Sequence, residues 1–594
     1  MASAFSRALA SAAQAFDRRV GWYRLPRLLA IPTLIELRNA LRANNLYDTG
    51  LPDASKAPPP DGDHRSTRTL DGTFNDLERP LMGSIGARFG RNVPLEDTWP
   101  EPEPAILEPN PRVVSRELLT RTEFIPAGIV NVLAAAWLQF EVHDWFSHGK
   151  GVPEDPWELE LDEADPWAER PMRIQRTRRD PTYSPDSGEP PTYVTADSHW
   201  WDGSQIYGST VERANRLRAH EDGKLRLDVD GLLPRDLDEG VDLRDVAGNF
   251  WIGLGVLHTL FTLEHNAICE RLRSEYRTWS DDQLYQRARL INAALMAKIH
   301  TVEWTPAIIA HPTTVFGMHA NWWGIVGERV TRRFGRLGSN DVLSGIPGSP
   351  TDHHGVPYSL TEEFVAVYRM HPLIRDEYSF RRAADDGLIE PQELENITDR
   401  RANEFMHRVP TGDLLYSFGT LYPGALELHN FPKMLQTFRR PDDIMVDLAS
   451  IDIMRMRELG VPRYTRFREL LHMRPIRSFD ELTDNREWVR QMREVYDDRI
   501  DRLDLMIGMF AEPKPEGFGF SDTAFRIFIL MASRRLKSDR FLTVDYTPEV
   551  YSPEGLEWIN ATTMTDILLR HYPNLRPAMR GVKNAFQPWA GARA

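Results

Sequence analysis

The sequence predicts a mainly α protein: one large helical body over residues 46–594, preceded by amphipathic helices over residues 1–45. Three observations predict it. Helical spacing of apolar residues covers 126–146, 246–276, 281–302, 361–371, 488–510 and 523–536, while strand-like alternation is short and scarce. No internal repeat of fixed period occurs, which argues against a solenoid or propeller. With 594 residues the chain buries a large core without covalent staples.

Taken in order, the first 42 residues are rich in Ala, Leu and Arg and poor in acids. Arg7, Asp17, Arg18 and Arg19 interrupt any clean hydrophobic stretch, which argues against a secretory signal. The plain reading is helices packed on the body. Attachment to a membrane surface and a removed targeting peptide are the alternatives. Three polar, Pro-rich stretches, 52–63, 96–111 and 151–191, read as surface loops. The stretch 126–146 is apolar nearly all round and is therefore expected to be buried. Pro372 is expected to end the helix over 361–371.

Composition narrows the function. Lys and Arg number 72 against 87 Asp and Glu, a net charge of −15, which argues against a nucleic-acid surface built on clustered positive charge. Cys269 is the single cysteine, so no intrachain disulfide forms and a reducing compartment, the cytoplasm, is expected. No run reaches the roughly 20 apolar residues of a membrane span. The most apolar, 129–142, contains Asn131, Gln139 and Glu141.

Five clusters could carry chemistry. Gln139 and His143 are four apart on one face of a buried helix, so they face a polar region or a ligand, unless His143 is simply a satisfied core histidine. In the segment from Ser198 to Ser209, Asp202 and Ser204 flank Gly203, a pattern that wraps oxygens around Ca²⁺ or equally caps a turn. Tyr368 and His371 are three apart at the end of an apolar helix. There an imidazole can serve as an axial haem ligand, or the two form an ordinary buried pair. The last two are His300 to Thr305, and Ser533-Arg534-Arg535 closing an apolar helix. Such an arginine suits a bidentate pair with a buried carboxylate, or a surface ion pair.

Together these segments resemble the peroxidase–cyclooxygenase superfamily and, within it, the fatty-acid α-dioxygenases. The resemblance runs in order through Val20-Gly21-Trp22-Tyr23-Arg24-Leu25-Pro26, Phe74-Asn75-Asp76-Leu77, Val142-His143-Asp144-Trp145, Trp200-Trp201-Asp202-Gly203-Ser204, Glu264-His265-Asn266, Tyr368-Arg369-Met370-His371, Gly460-Val461-Pro462-Arg463-Tyr464 and Ala532-Ser533-Arg534-Arg535-Leu536. It implies a haem peroxidase-like helical domain. His371 resembles the proximal iron ligand, His143 the distal histidine, Gln139 the distal-pocket glutamine and Tyr368 the radical-forming tyrosine. Asp144, Ser198, Trp200 through its carbonyl, Asp202 and Ser204 resemble the family's calcium site, with Ser198 standing where threonine is usual. His300, Thr305 and Arg535 resemble its carboxylate-binding trio, with Arg534 second to Arg535 because it points about 100° away on a helix. Arg455 resembles a basic residue near the haem propionates, whereas Leu459 stands where a second arginine is expected.

Departures sharpen the expectation. Val142 precedes His143 where mammalian peroxidases place an ester-forming Asp, and Gly248-Asn249-Phe250-Trp251 offers no matching Glu, so haem b is expected to be held non-covalently. The distal arginine of peroxidases has no clear match, and one cysteine cannot build the disulfide-rich module of cyclooxygenases. The implied activity is addition of O₂ at Cα of a long-chain fatty acid after hydrogen abstraction by a Tyr368 radical. The product is a 2-hydroperoxy acid that can lose CO₂ to give an aldehyde one carbon shorter. A haem peroxidase, a mid-chain fatty-acid dioxygenase and a non-catalytic haem- or calcium-binding protein are the competing readings.

Overall fold

The structure, a computed structural model, describes residues 13–52, 57–59, 64–143, 145–234, 251–439, 444–591 and 593. Helices dominate, and the named strands among the described residues form three separate two-stranded antiparallel sheets. After a helical stretch over 13–20, helix α1 (Arg27–Asn44) buries Ala30, Leu34, Leu37 and Leu41 along one stripe, the spacing that lays an amphipathic helix on a core. This N-terminal segment is fastened to the body: Trp22 is buried, its Nε1–H donates to Asp522, and Asp17 pairs with Arg526 at 2.8 Å.

Helix α2 (Val132–Val142) is shorter than its apolar pattern suggests because the Asn131 side chain accepts the Ala134 N–H and caps it. It packs on α3 (Ile252–Glu275), which in turn packs on α4 (Asp281–Ile299), and these three form the centre of the core. Helix α4 begins in a capping box, Ser280 with Gln283, and runs into a π turn at His300–Trp304 and one further α-turn at Thr305–Ile308. The expected helix over 281–302 therefore changes pitch where the polar residues begin. Helices α5 (Pro312–Trp323), α6 (Glu362–Val367), α7 (Leu448–Glu458) and α8 (Asp522–Ser538) complete the frame, with α6 and α1 both against α8.

Three expectations need correction. The stretch 361–371 is not one helix. Helix α6 stops at Val367, Tyr368 is its C-cap, the Arg369 N–H bonds three residues back to Ala366, and after non-helical Met370 a separate 3₁₀ turn, His371–Leu373, opens with Pro372 in it. The stretch 488–510 breaks into Arg486–Val495, Ile500–Arg502 and Leu505–Ala511. Asp497 and Asp498 between the first two take left-handed backbone angles, which Asp tolerates. The stretch 151–191 is not only loop: β1 (Val152–Leu159) pairs with β2 (Met172–Arg176). Trp157, Leu159, Trp167, Met172 and Ile174 form a small core of their own against Met454 of α7.

Candidate functional site

On α2 every residue is buried except Gln139 and Val142, and with the cap residue His143 these are the only positions there that keep exposed surface. The His143 Nδ1–H donates to the Phe140 carbonyl at 3.1 Å, which leaves Nε2 as the unprotonated nitrogen. Burial pushes its pKa down to about 4, so the ring is neutral at pH 7. His258 of α3 stands edge-on to it, ring centres 5.6 Å apart, buried and with Nε2 unpartnered. Gln139 Oε1 accepts from Trp251 Nε1–H at 2.5 Å.

His371 lies in the chain break after α6. Its Nδ1–H donates to Asp452 Oδ2 at 2.6 Å, and the other Asp452 oxygen accepts from Arg369 at 2.6 Å. Burial alone would raise the Asp452 carboxyl, but His371 and Arg369 outweigh it and hold it below the usual carboxylate range. The His371 side chain stays one-third exposed (33%) between buried Met370 and Pro372, so Nε2 is the accessible nitrogen. Arg455 lies three residues after Asp452 on α7 and donates to Glu458 at 2.7 Å. At the position expected for a second arginine, the Leu459 carbonyl accepts from Arg91, whose guanidinium also pairs with buried Glu363.

Arg535 is buried on α8 between two indoles, its guanidinium carbon 3.4 Å from the Trp145 ring centre and 4.4 Å from that of Trp201. It forms no ion pair with a described carboxylate, and its Nε and Nη2 have no hydrogen-bond partner. Against the same two indoles lies His300, 5.4 Å from Trp201 and 6.3 Å from Trp145, stacked on Trp304 at 4.7 Å. Trp137 Nε1–H donates to His300 Nδ1 at 3.2 Å, which fixes the tautomer with the proton on Nε2. Burial, with help from Arg535, pushes this imidazole down to about 3. Thr305 closes the π turn by donating its N–H to the His300 carbonyl, and its buried Oγ1 is also unpartnered. Arg534 turns elsewhere, to the carbonyls of Val356, Pro357 and Ser359.

Tyr368 packs among Phe146, Phe364 and Phe528, the last two turns before Arg535 on α8. Burial lifts its hydroxyl far above the usual tyrosine range and Arg535 opposes the rise, so the O–H is intact at neutral pH and lies within the field of Arg535.

The segment from Ser198 to Ser204 is buried and folded around Asp202. The Ser198 hydroxyl donates to Asp202 Oδ2 at 2.5 Å, and Ser204 N–H to Oδ1 at 3.1 Å, across Gly203 in the left-handed region. Trp200 is buried here with its Nε1–H on the Met82 carbonyl. Asp144 and residues 248–250 lie outside the described residues. Among those described, no three His, Cys, Asp or Glu side chains gather as a metal site.

The structure thus gathers His300 and Arg535 against the same two indoles, with Thr305 tied to the His300 carbonyl through its N–H, Gln139 and His143 together on α2, and His371 on Asp452 of α7, three residues before Arg455. Sequence reasoning missed Asp452, His258, and Trp145 and Trp201 as the walls around Arg535. Only the two tryptophans left a signal, since each adjoins a candidate calcium ligand, Asp144 or Asp202, in the chain.

The family model of the animal haem peroxidases matches residues 67–586. α-Dioxygenase 1 of Capsicum annuum is 38% identical over 597 residues, covering 96% of this chain and 90% of that protein. The crystal structure of Oryza sativa fatty acid α-dioxygenase superposes with a TM-score of 0.91 at 34% identity, over 99% of this chain and 97% of that one. A variant of the rice enzyme solved with palmitic acid gives 0.90 at 34% identity, over 99% and 98%. With a family model matched over most of its length and relatives this similar along nearly all of it, the chain belongs to the animal haem peroxidase family and, within it, to the α-dioxygenases.

Proposed function

We propose that the protein is a haem-dependent fatty-acid α-dioxygenase that anchors its substrate by the carboxylate at Arg535. The observation that carries the reading is the buried guanidinium itself. A buried cation without a described counter-ion is unfavourable; His300, with its proton on Nε2, packs on the same two indoles, and the Thr305 hydroxyl, at the end of the π turn that His300 opens, is buried without a partner. One carboxylate would complete all three.

The residues fit haem b. His371, oriented by Asp452 and open at Nε2, would hold the iron, and Arg455 would meet a propionate. Val142, ahead of His143, supports non-covalent attachment. Bound haem supplies the one-electron oxidation that converts Tyr368 to a phenoxyl radical. His143 Nε2, neutral and unprotonated, accepts the proton of the activating peroxide. Arg535, His300 and Thr305 hold the carboxylate, which brings Cα to within roughly 3–3.5 Å of the Tyr368 oxygen. The phenoxyl oxygen takes a hydrogen atom from Cα, O₂ adds to the carbon radical, and the peroxyl radical takes the hydrogen atom back. The 2-hydroperoxy acid then loses CO₂ and water to give the shorter aldehyde.

Asp202, Ser198, Ser204 and the Trp200 carbonyl offer hard oxygen donors suited to Ca²⁺, and Asp144 would be the second acid. No helix among the described residues is long and apolar enough to cross a membrane. Exposed Phe16, Val20, Leu28 and Leu29, interleaved with Arg18, Arg19, Arg24 and Arg27, support peripheral contact of a cytoplasmic protein with an anionic membrane.

The test is the product from palmitate and O₂ with haem-loaded protein. The expected products are 2-hydroperoxypalmitate and the fifteen-carbon aldehyde. Mid-chain oxygenation, or no oxygen uptake with a saturated acid, would overturn the reading.

A further inference from the structure

The face of α8 opposite Arg535 gathers positive charge that forms no ion pair with a described carboxylate. Ser533 precedes Arg535 by two positions, about 200° around the helix, and meets α1. Arg38 and Arg42 stand one turn apart on α1. Arg42 donates to Ser533 Oγ at 2.9 Å, and Arg38 to Asn321 Oδ1 of α5 at 3.2 Å. Both partners are neutral, and the Nε–H of each arginine is buried without an acceptor. Arg534 binds only main-chain carbonyls, and its Nε–H is likewise unpartnered. Lys537 donates to Ser349 Oγ at 2.8 Å, and Arg336 to the carbonyls of Gly345 and Pro347.

None of these five cations pairs with a described carboxylate. Asp48, Asp341 and Asp352 act on them only from a distance. Burial and the neighbouring Arg38 push Arg42 down to about 9, and burial takes Arg534 down to about 10. His354, with Nε2 buried and unpartnered, is pushed down to about 3 by burial and by Arg42, against the pull of Asp352. Holding so many cations together is unfavourable until an anion joins them. Arg38, Arg42 and His354 are half-buried, so solvent reaches this cationic face, where exposed Asp352 lies 3.3 Å from His354 Nδ1.

We propose that this cationic face between α1, α5 and α8 is a binding site for a phosphate dianion, held by the paired guanidinium groups of Arg38 and Arg42 in the field of Arg534 and Lys537. Two guanidinium forks one turn apart match a tetrahedral oxyanion with several acceptor oxygens. The anion bridges α1 to the helix that carries Arg535. It enters as free phosphate or as the headgroup phosphate of an anionic lipid, and α1 exposes Leu28 and Leu29 at its other end.

The experiment titrates the full-length protein with inorganic phosphate at constant ionic strength, chloride making up the balance, by calorimetry and thermal melting. Saturable binding with a rise in melting temperature is expected. In the double variant Arg38→Gln, Arg42→Gln the affinity falls at least about tenfold, equivalent to about 1.4 kcal/mol or more. That variant melts no lower than the parent in phosphate-free buffer, because mutual repulsion has been removed. The pair Arg38→Lys, Arg42→Lys keeps the charge and gives an intermediate loss, which serves if the glutamine variant does not fold. Vesicles of phosphatidylcholine with and without phosphatidate identify the source. Phosphatidate-dependent sedimentation reversed by inorganic phosphate assigns the headgroup, and phosphate binding without sedimentation assigns the free ion. No saturable binding by the intact protein, or unchanged binding after both substitutions, overturns the site.

Discussion

Asp452 Oδ2 lies 2.6 Å from His371 Nδ1, and the same carboxylate receives Arg369. An imidazole that donates to a carboxylate is a more electron-rich ligand with a fixed ring plane. Asp452→Asn keeps the shape and removes the charge. It is expected to retain haem, raise the reduction potential and lower oxygenation by about 10- to 100-fold, the range for lost outer partners of a metal ligand. Spectroelectrochemistry of the variant checks this, and an unchanged potential would count against His371 as the ligand.

Tyr368→Phe removes one oxygen from a ring packed among three phenylalanines, so folding and haem content should stay close to the parent. Oxygen uptake with fatty acid should vanish, while peroxide-driven oxidation of a small dye remains. Oxygen electrode traces on both substrates decide it.

Arg535→Met separates anchoring from stability. The guanidinium has two indole contacts and a hydrogen bond with Tyr358 but no counter-ion among the described residues, so its loss should move the melting temperature of the substrate-free protein little. Substrate binding should suffer far more. Breaking a buried charge pair costs about 3–5 kcal/mol, roughly a thousandfold in affinity. KM for palmitate against that of its methyl ester reports the difference, and equal values in the parent protein would refute carboxylate anchoring.

Asp202 has two roles that metal removal can part. It already binds Ser198 and the Ser204 N–H, so Asp202→Ala should lower stability even without a cation. A calcium chelator should lower the melting temperature of the parent and leave that of the variant unmoved. Metal analysis finding no calcium in the pure protein would remove the site.

The buried histidines set the acid limb of stability. His143, His265 and His300 are pushed down to about 4, 4 and 3 by burial, whereas in the unfolded chain they titrate near 6.5. Between about pH 6.5 and 4 the unfolded state binds protons that the folded state refuses, so stability falls as pH drops through this window and is recovered above it. Each such histidine contributes a slope of about 1.4 kcal/mol per pH unit. Urea unfolding at pH 7, 6 and 5 measures it. His143 stays neutral across that range, so its titration should not lower oxygenation above pH 5.

Whether a residue is legible in the sequence depends on whether it is bound to its neighbours in the chain or only in space. Gln139 and His143 share a helical turn, and Arg535 closes an apolar helix, so their spacing is readable. The link from His371 to Asp452 spans 81 residues, and nothing local joins them. His258 sits in a helix apolar enough to read as core, and only its approach to His143 singles it out. The β1–β2 hairpin is hidden for another reason: Trp157 with Leu159 and Met172 with Ile174 do alternate, but over segments too short to stand out among prolines and acids. At Tyr368 the helical pattern outlasts the helix, since residue spacing does not register the tightened last turn or the non-helical backbone of Met370.

The π turn at His300–Trp304 makes this anchor sensitive to chain length as well as to residue identity. Each such turn carries one residue more than the α-turn it interrupts. Deleting a single residue there would restore the regular helix, draw the downstream chain about 1.5 Å along the axis and swing it about 100°. Thr305 would lose its N–H bond to the His300 carbonyl and turn to a new direction with every side chain of the trio still present. A relative that lost one residue at this turn would keep its histidines, tyrosine and arginine and yet meet the carboxylate differently, so an alignment gap of one position within 300–304 is as informative about substrate placement as a substitution at Arg535.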